Sequence, residues 1–167
     1  MELDSADWRL LQQLQHDASL NNLELAARCS LSPATCLRRV RRLRESGLVE
    51  RTVSILDPNA LRYLTGAGLT VIVEVTLDVQ SEEQQAAFAK HATSDAAVQQ
   101  CYRTSPGPDY VLIATVADMS AFMAFSQRVL TQDVNVRNVR SLFSLERKKF
   151  SVELPLPCGD VEPSLRK

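Results

Sequence analysis

The chain has 167 residues with 20 acidic and 19 basic side chains, so its formal net charge is −1, and 45% of its residues are hydrophobic. This balance is typical of a folded protein with one medium domain or two small ones, and it excludes a disordered or uniformly basic chain. No apolar run approaches the roughly 18–20 residues of a membrane helix, and the acidic N-terminus lacks a signal-peptide pattern. We therefore expect a cytoplasmic protein without a membrane partner.

The N-terminal part of the chain carries the start signals of three helices. Asp4 is a capping residue placed before a helical apolar pattern. Asn21 is followed three residues later by Glu24, which is the spacing of a capping box. Ser32 precedes Pro33, and proline is favoured at a first helical position because no hydrogen bond is lost there. The sequence therefore predicts a helical N-terminal unit.

The third of these helices is predicted to be amphipathic. Cys36, Val40 and Leu43 have core spacing, with Leu37 beside them, and Gly47 is placed to end the helix. Five of the seven residues from 38 to 44 are arginines: Arg38, Arg39, Arg41, Arg42 and Arg44. An arginine run of this kind is usually a solvated helix face, so on its own it does not indicate a ligand.

The segment LVERTVSIL, which follows the third helix, is β-prone and predicts a small hairpin. Three helices followed by a hairpin make a winged helix-turn-helix, in which the third helix enters the major groove of DNA. Short side chains at its N-terminus can approach base edges, and arginines can bind phosphates or guanines. The predicted DNA-binding residues are Ser32, Ala34, Thr35, Arg38, Arg39 and Arg42.

The second half of the chain mixes strand and helix patterns. Four segments have strand patterns: LTVIVEVTL, VQQCYRT, DYVLIATVA and NVRSLFSLERKKF. Ser81 and Asp118 are placed to cap two helices between them, and the last strand alternates through Leu145. The order β-α-β-β-α-β is that of a ferredoxin-like domain.

The predicted fold class is therefore α+β. Its parts are a winged helix-turn-helix over residues 1–53, a linker over 54–68, a ferredoxin-like βαββαβ domain over 69–153 and a loose tail over 154–167. The four cysteines form no C-x-x-C pair, and no histidine lies at metal-ligand spacing from them. We expect reduced thiols and neither a metal site nor a cofactor.

Residues 3–58 resemble the N-terminal signature of the leucine-responsive regulator/AsnC (Lrp/AsnC) family of transcription factors almost position by position. VIVEVTL, CYRTSPGPDYVL, VADMSAF and NVRSLFSLERKK extend the resemblance to about residue 150. The resemblance implies a sequence-specific DNA-binding regulator of amino-acid metabolism that binds a pseudo-palindromic operator. Its second domain would dimerise, assemble dimers into tetramers or octamers and sense a small effector, an amino acid.

Two positions depart from the family pattern. Ser30 stands where the family has glycine in the helix-turn-helix turn, which predicts a strained backbone there. The family's Gly-Asp-x-Asp-Tyr loop, which touches the amino acid at an interface between dimers, is here SPGPDY (105–110), stiffened by two prolines. By correspondence with the family, the effector-binding residues would be Ser105, Gly107, Asp109, Tyr110, Asp118, Arg140 and Ser141. Asp118 also has a structural interpretation as a helix cap, and Arg140 and Ser141 have one as strand residues.

Two other functions are compatible with parts of the sequence. Siroheme decarboxylases have a related architecture, but their second domain usually carries a His-Asn-Tyr segment where this chain has QQCYRT. His16 and His91 are isolated and expected to be exposed, and no nucleophile motif is present, so we expect no enzyme. The other alternative is an amino-acid-binding assembly module that does not bind DNA, and the arginine-rich helix face argues against it.

Overall fold

A computed structural model describes residues 2–65 and 68–157. They form two compact units, which we call the first unit (residues 2–55 with 149–157) and the second unit (residues 56–65 with 68–148). Cys158, most of the predicted tail and residues 66–67 of the predicted linker lie outside the described residues. Within the described ranges, no helix is both long and apolar enough to span a bilayer.

The first unit contains helices that begin at the predicted caps. They are α1 (Ser5–His16), α2 (Asn22–Arg28) and α3 (Pro33–Glu45). The side chain of Asp4 accepts the backbone N–H of Asp7 at 2.9 Å, and Asn21 forms the predicted capping box with Glu24. Gly47, at a φ of 78°, follows the end of α3 in the left-handed conformation that favours glycine. The three predicted helices are confirmed.

The helices of the first unit enclose a small apolar core. Its buried members are Leu10, Leu25, Ala26, Cys29, Cys36, Val40 and Leu43. The prediction that Leu37 joins this core is wrong, because its side chain is 62% exposed. Position 37 lies about 100° around the helix from Cys36, which is far enough to turn it away from α1 and α2. Burial raises the pKa of the Cys29 and Cys36 thiols.

The turn between α2 and α3 is a Schellman motif with serine at its left-handed position. The N–H of Leu31 donates to the Ala26 carbonyl at 2.9 Å, and that of Ser30 donates to the Ala27 carbonyl at 3.2 Å. Ser30 has a φ of 56°. The predicted left-handed backbone at Ser30 is confirmed, and a side chain there costs free energy that glycine would not.

The predicted β hairpin after α3 is wrong. Residues 48–57 form no strand, and Val53, Ile55 and Leu56 are exposed. An isolated two-stranded hairpin is marginal in water. Because these apolar side chains do not reach the core of the first unit, β propensity alone does not fold the segment.

The segment predicted as a linker contains a helix. Helix α4 (Pro58–Thr65) occupies most of residues 54–68. Pro58 stands at its first position, where a missing N–H loses no hydrogen bond. The turn-forming residues of this segment therefore mark a helix start as well as a change of unit.

The chain returns to the first unit after the last strand. The sequence places residues 149–153 with the ferredoxin-like domain, whereas the structure places 149–157 in the first unit. Gln15 and Leu154 exchange two hydrogen bonds, with Gln15 Nε2 donating to the Leu154 carbonyl at 2.9 Å and the Leu154 N–H donating to Gln15 Oε1 at 3.0 Å. Beside them, His16 Nδ1 lies 3.1 Å from Glu153 Oε1.

The second unit is a four-stranded antiparallel sheet with helices. Its elements after α4 are β1 (Leu69–Leu77), α5 (Glu82–Ser94), β2 (Val98–Arg103), β3 (Tyr110–Val116), α6 (Met119–Ser126) and β4 (Val136–Phe143). Helix α6 continues as a π-helical turn, Gln127–Thr131. The strand order is β2-β3-β1-β4, with β1 and β3 central. The ferredoxin-like arrangement predicted from the sequence is confirmed.

One face of this sheet is buried and the other is open. Val71, Val73 and Val75 of β1 are fully buried and pack with Phe88 of α5 and Phe125 of α6. Alternate residues of the same strands face away from the helices. The prediction that β4 extends through Leu145 is wrong, because the strand ends at Phe143 and Leu145 is 98% exposed. Because Leu145 gains no burial from the described residues, its apolar character does not extend the strand.

Candidate nucleic-acid interface and effector site

An ion-pair cluster joins α1 to α3. Asp7 of α1 is buried, and its carboxylate accepts hydrogen bonds from Arg39 Nη1 at 2.9 Å and from Arg42 Nη2. Arg39 Nη1 also donates to Asp4 at 2.8 Å. The Nε atom of Arg39 is buried without a hydrogen-bond partner among the described residues. Two of the five arginines on α3 therefore neutralise acidic groups of α1 and its cap.

The charged forms of Asp4 and Arg39 are favoured within this cluster. The backbone N–H of Asp7, and with it the Arg39 guanidinium, lowers the pKa of Asp4 despite the opposing effect of burial. Hydrogen bonds from its guanidinium to Asp7 and Asp4 raise the pKa of Arg39. A buried carboxylate is tolerated only when it is paired, so the position of Asp7 requires these arginines.

The solvent face of α3 carries a different set of side chains. Ala34, Arg38 and Arg41 follow one another at helical i, i+4 and i+7 spacing and are exposed. Arg41 Nε pairs with Glu45 at 2.7 Å, whereas Arg38 makes no hydrogen bond or ion pair with the part of the chain that the structure describes. Arg38 is therefore the predicted DNA-binding arginine whose charge is available to an external anion.

The remaining predicted DNA-binding residues lie at the N-terminus of α3. Ser32 Oγ accepts the backbone N–H of Thr35 at 3.3 Å and donates to Thr35 Oγ1 at 2.8 Å. Ser32 therefore caps the helix and is held in place by the Thr35 hydroxyl, while Ala34 next to them is exposed. Leu37 and Arg41 lie on this exposed surface but are not among the predicted residues. Placing position 37 by its angle around the helix, rather than by its apolar character, would have found it.

The predicted effector loop is held by its own side chains. Asp109 Oδ2 accepts the N–H of Leu77 at 2.7 Å and Gln80 Nε2 at 3.3 Å. The hydroxyl of Thr104 donates to the Pro108 carbonyl. Ser105 and Gly107 remain exposed at the tip of the loop, and Gly107 has a φ of 125°. The carboxylate of Asp109 is thus already occupied within the chain.

Tyr110, the last predicted residue of this loop, is buried. Its hydroxyl donates to the Gln85 carbonyl at 2.9 Å, and its ring lies 5.0 Å from that of Phe88. Burial raises the pKa of Tyr110. The side chain therefore fixes the start of β3 against α5.

The other predicted effector residues lie elsewhere in the second unit. Asp118 caps α6, with its Oδ1 accepting the Ala121 N–H at 2.8 Å. It follows the end of β3 opposite to the loop, so roughly 20 Å of strand separates the two. On β4, Arg140 Nη1 pairs with Glu74 at 3.6 Å on the open face of the sheet, and Ser141 lies opposite Val73 of β1. One chain does not bring these residues together.

The two histidines are both exposed, as predicted. His16 contacts Glu153 in the first unit. His91 lies in the second unit, where its Nε2 is 3.0 Å from the Arg128 carbonyl. The histidines thus contact different groups in separate units.

Comparisons with known proteins agree with the two-unit architecture. A family model described as winged helix-turn-helix DNA-binding matches residues 3–50, and one described as Lrp/AsnC ligand binding domain matches residues 70–154. An uncharacterized HTH-type transcriptional regulator of Haemophilus influenzae is 35% identical over 147 residues, which cover 88% of this chain and 85% of that protein. A leucine-responsive regulatory protein of Rhizobium meliloti is 31% identical over 156 residues, which cover 93% and 97%.

A solved structure is similar to this chain over nearly its whole length. It is that of a transcriptional regulator from Neisseria meningitidis in complex with L-Met. The TM-score is 0.81 at 31% sequence identity, and the match covers 92% of this chain and 97% of that one.

Proposed function

The chain belongs to the Lrp/AsnC family of transcriptional regulators, and we propose that it binds double-stranded operator DNA in a sequence-specific manner through helix α3. The observation that carries the proposal is the division of the arginines of this helix. Arg39 and Arg42 are paired with acidic groups of α1, whereas Arg38 is exposed and unpaired among the described residues. An unpaired arginine on an exposed helix face suits phosphate oxygens or a guanine edge.

In this proposal the predicted residues contribute in two ways. Ala34 and Arg38 enter the major groove, and the capped end formed by Ser32 and Thr35 lies against a phosphate, which the positive end of the helix dipole favours. Arg39 and Arg42 hold α3 at its angle to α1 and contact DNA only through their outer edges. No catalytic step is part of the proposed function, and we propose the cytoplasm as the compartment in which the regulator meets its DNA.

We propose a homodimer as the DNA-binding form, with dimers assembling further. The open face of the sheet supports it, since Ile72 of β1 has Ile113 opposite on β3 and Leu142 opposite on β4. This apolar row is incompletely covered within one chain, and covering it with a second copy would remove it from water. A two-fold dimer would place two α3 helices on a pseudo-palindromic site with half-sites about one helical turn, or a multiple of it, apart.

We propose an amino acid as the effector. The Rhizobium relative is named for leucine and the Neisseria structure contains L-Met. Ser105 and Gly107 at the exposed loop tip would meet the ligand from one copy, and Asp118 would do so from another. Arg140 and Ser141 would lie on the supporting strand, and Asp109 and Tyr110 would shape the loop without binding the ligand directly.

The DNA-binding proposal is tested by fluorescence anisotropy with the duplex upstream of the chain's own gene and a scrambled duplex of equal length. The protein is expected to prefer the first duplex. Its affinity should fall by about 0.9 log units per log unit of salt for each phosphate contacted. Salt-independent binding, or equal affinity for both duplexes, would contradict it.

The effector proposal is tested by thermal unfolding of the protein with each of the twenty amino acids. An amino acid present at a hundredfold excess over its dissociation constant should stabilise the folded state by about 2.7 kcal/mol. Ser105→Trp, which fills the loop tip, should abolish the shift, whereas Ser94→Trp on an exposed part of α5 should retain it. A regulator whose stability responds to none of the twenty would contradict the proposal.

A further inference from the structure

Leu37 is an exposed apolar side chain on the most cationic helix of the protein. It is 62% exposed, while the core residues on either side of it along α3, Cys36 and Val40, are buried. The same helix begins and ends as predicted, so this exposure does not result from a frayed end. Covering this side chain with an apolar group of a partner would be favourable, because it would remove apolar surface from water.

The neighbours of Leu37 define what can cover it. Ala34 precedes it by three residues and Arg41 follows it by four, so both are adjacent to it on the helix surface. Arg38 is the next residue along the chain and is also exposed. Leu37 and Ala34 thus form a small apolar patch, bordered by two guanidinium groups, in the N-terminal half of the helix.

We propose that Leu37 is a specificity-determining residue that reads the 5-methyl group of a thymine in the major groove. This inference rests on the proposed function and deepens it, because it names a base that the helix recognises. The thymine methyl is the apolar feature of the major-groove edge, and side chains without polar groups recognise it by contact. Arg38, which is unpaired among the described residues, favours a partner that carries phosphates, and an apolar partner without negative charge would leave its guanidinium without an anion.

The test removes one methyl group at a time. Duplexes that bind the wild-type protein are selected from a random library, and each thymine of the consensus is then replaced singly by uracil, which lacks only the 5-methyl group. At one thymine in each half-site, uracil is expected to lower wild-type affinity about fourfold, the effect of one buried methyl-sized group. Leu37→Ala should bind the thymine and uracil duplexes equally.

The control is Leu145→Ala, which truncates a fully exposed leucine of the second unit and should respond to uracil as the wild type does. Unchanged unfolding of Leu37→Ala, followed by the fluorescence of Trp8, would show that the variant is folded. If the wild type binds its selected duplex but no uracil replacement distinguishes it from Leu37→Ala, the inference about Leu37 is wrong while the proposed function stands. If no duplex is enriched, both are overturned.

Discussion

Ser30 is the residue at which the backbone of the first unit is most clearly strained. A left-handed residue other than glycine costs roughly 1–2 kcal/mol, and Ser30 has a φ of 56°. We predict that Ser30→Gly raises the free energy of unfolding of the first unit by about 1 kcal/mol. Urea unfolding followed by Trp8, the chain's one tryptophan, measures it.

The matched control is Ser46→Gly at the C-cap of α3. Ser46 has a φ of −79°, and its hydroxyl donates to the Leu43 carbonyl. The control variant should therefore lose stability rather than gain it, because it removes a hydrogen bond and adds backbone freedom. A gain in both variants would show that the left-handed backbone is not the cause.

At this scale, the sequence predicts a residue's role only where the role is local. The left-handed backbone of Ser30 can be predicted from the sequence, because the turn between α2 and α3 needs such a residue two positions before Ser32. Which arginines of α3 form ion pairs cannot be predicted from the sequence, because it depends on where Asp4 and Asp7 lie when α1 and α3 pack. Leu37 shows the same limit, since an apolar residue on an amphipathic helix is predicted to be inside.

The contact between α1 and α3 depends on the buried carboxylate of Asp7. Arg39→Gln removes the hydrogen bonds of one guanidinium to Asp7 and Asp4 and leaves Arg42 as the remaining cation. We predict a loss of about 2 kcal/mol in the stability of the first unit, because hydrogen bonds to charged groups are worth about 1.5–3 kcal/mol. Arg38→Gln, the control on the same helix, should stay within about 0.5 kcal/mol of wild type.

The capping carboxylate of α1 makes the first unit sensitive to acid. Because the pKa of Asp4 is lowered from 3.8 in the folded state, its contribution is complete above that value and is lost as the pH falls through the lower, folded pKa. Asp4→Asn keeps a capping side chain that does not titrate. We predict that wild type is more stable than this variant at pH 6 and that the difference shrinks below about pH 4, where Asp4 begins to protonate in the unfolded chain. A constant difference from pH 6 to pH 2, measured by urea unfolding, would contradict this.

The elements themselves are largely predictable, and the exceptions have a common cause. Helix caps and the alternation of β1 are set by residues that are close in sequence, so they can be recognised without the fold. The predicted hairpin at 48–56 and the extension of β4 to Leu145 both required a packing partner. Over the described residues, Val53, Ile55 and Leu145 are all left exposed. Propensity alone therefore overestimates strands at the edges of the two units.

The proposed dimer is formed through the open face of the sheet. Ile72→Lys places a charge in the middle of the apolar row formed with Ile113 and Leu142, and burying that charge between two copies would be costly. We predict that this variant is a folded monomer by sedimentation equilibrium at concentrations where the wild type is a dimer. Val79→Lys, at an exposed apolar position after β1, should leave the dimer intact. A dimeric Ile72→Lys protein would place the interface elsewhere.

The effector site is the part of the molecule that a single sequence predicts least. The family resemblance predicts seven effector-binding residues, but within one chain Asp118 and Ser105 lie near opposite ends of β3. The side chains of Asp109 and Tyr110 are used within the fold. The proposed pocket between copies of the chain would depend on how the copies are arranged, and no local pattern in one chain predicts that arrangement.

In the proposed function, α3 divides its arginines between α1 and DNA. The most direct test compares the affinity of wild type, Arg38→Gln and Arg39→Gln for the same selected duplex, at a temperature where Trp8 fluorescence shows all three to be folded. We predict that Arg38→Gln binds at least about fivefold more weakly, the lower limit for losing a good contact to DNA. Arg39→Gln should stay within about threefold of wild type, because its guanidinium is committed to Asp4 and Asp7. Equal losses in the two variants, or a larger loss for Arg39→Gln, would contradict the division.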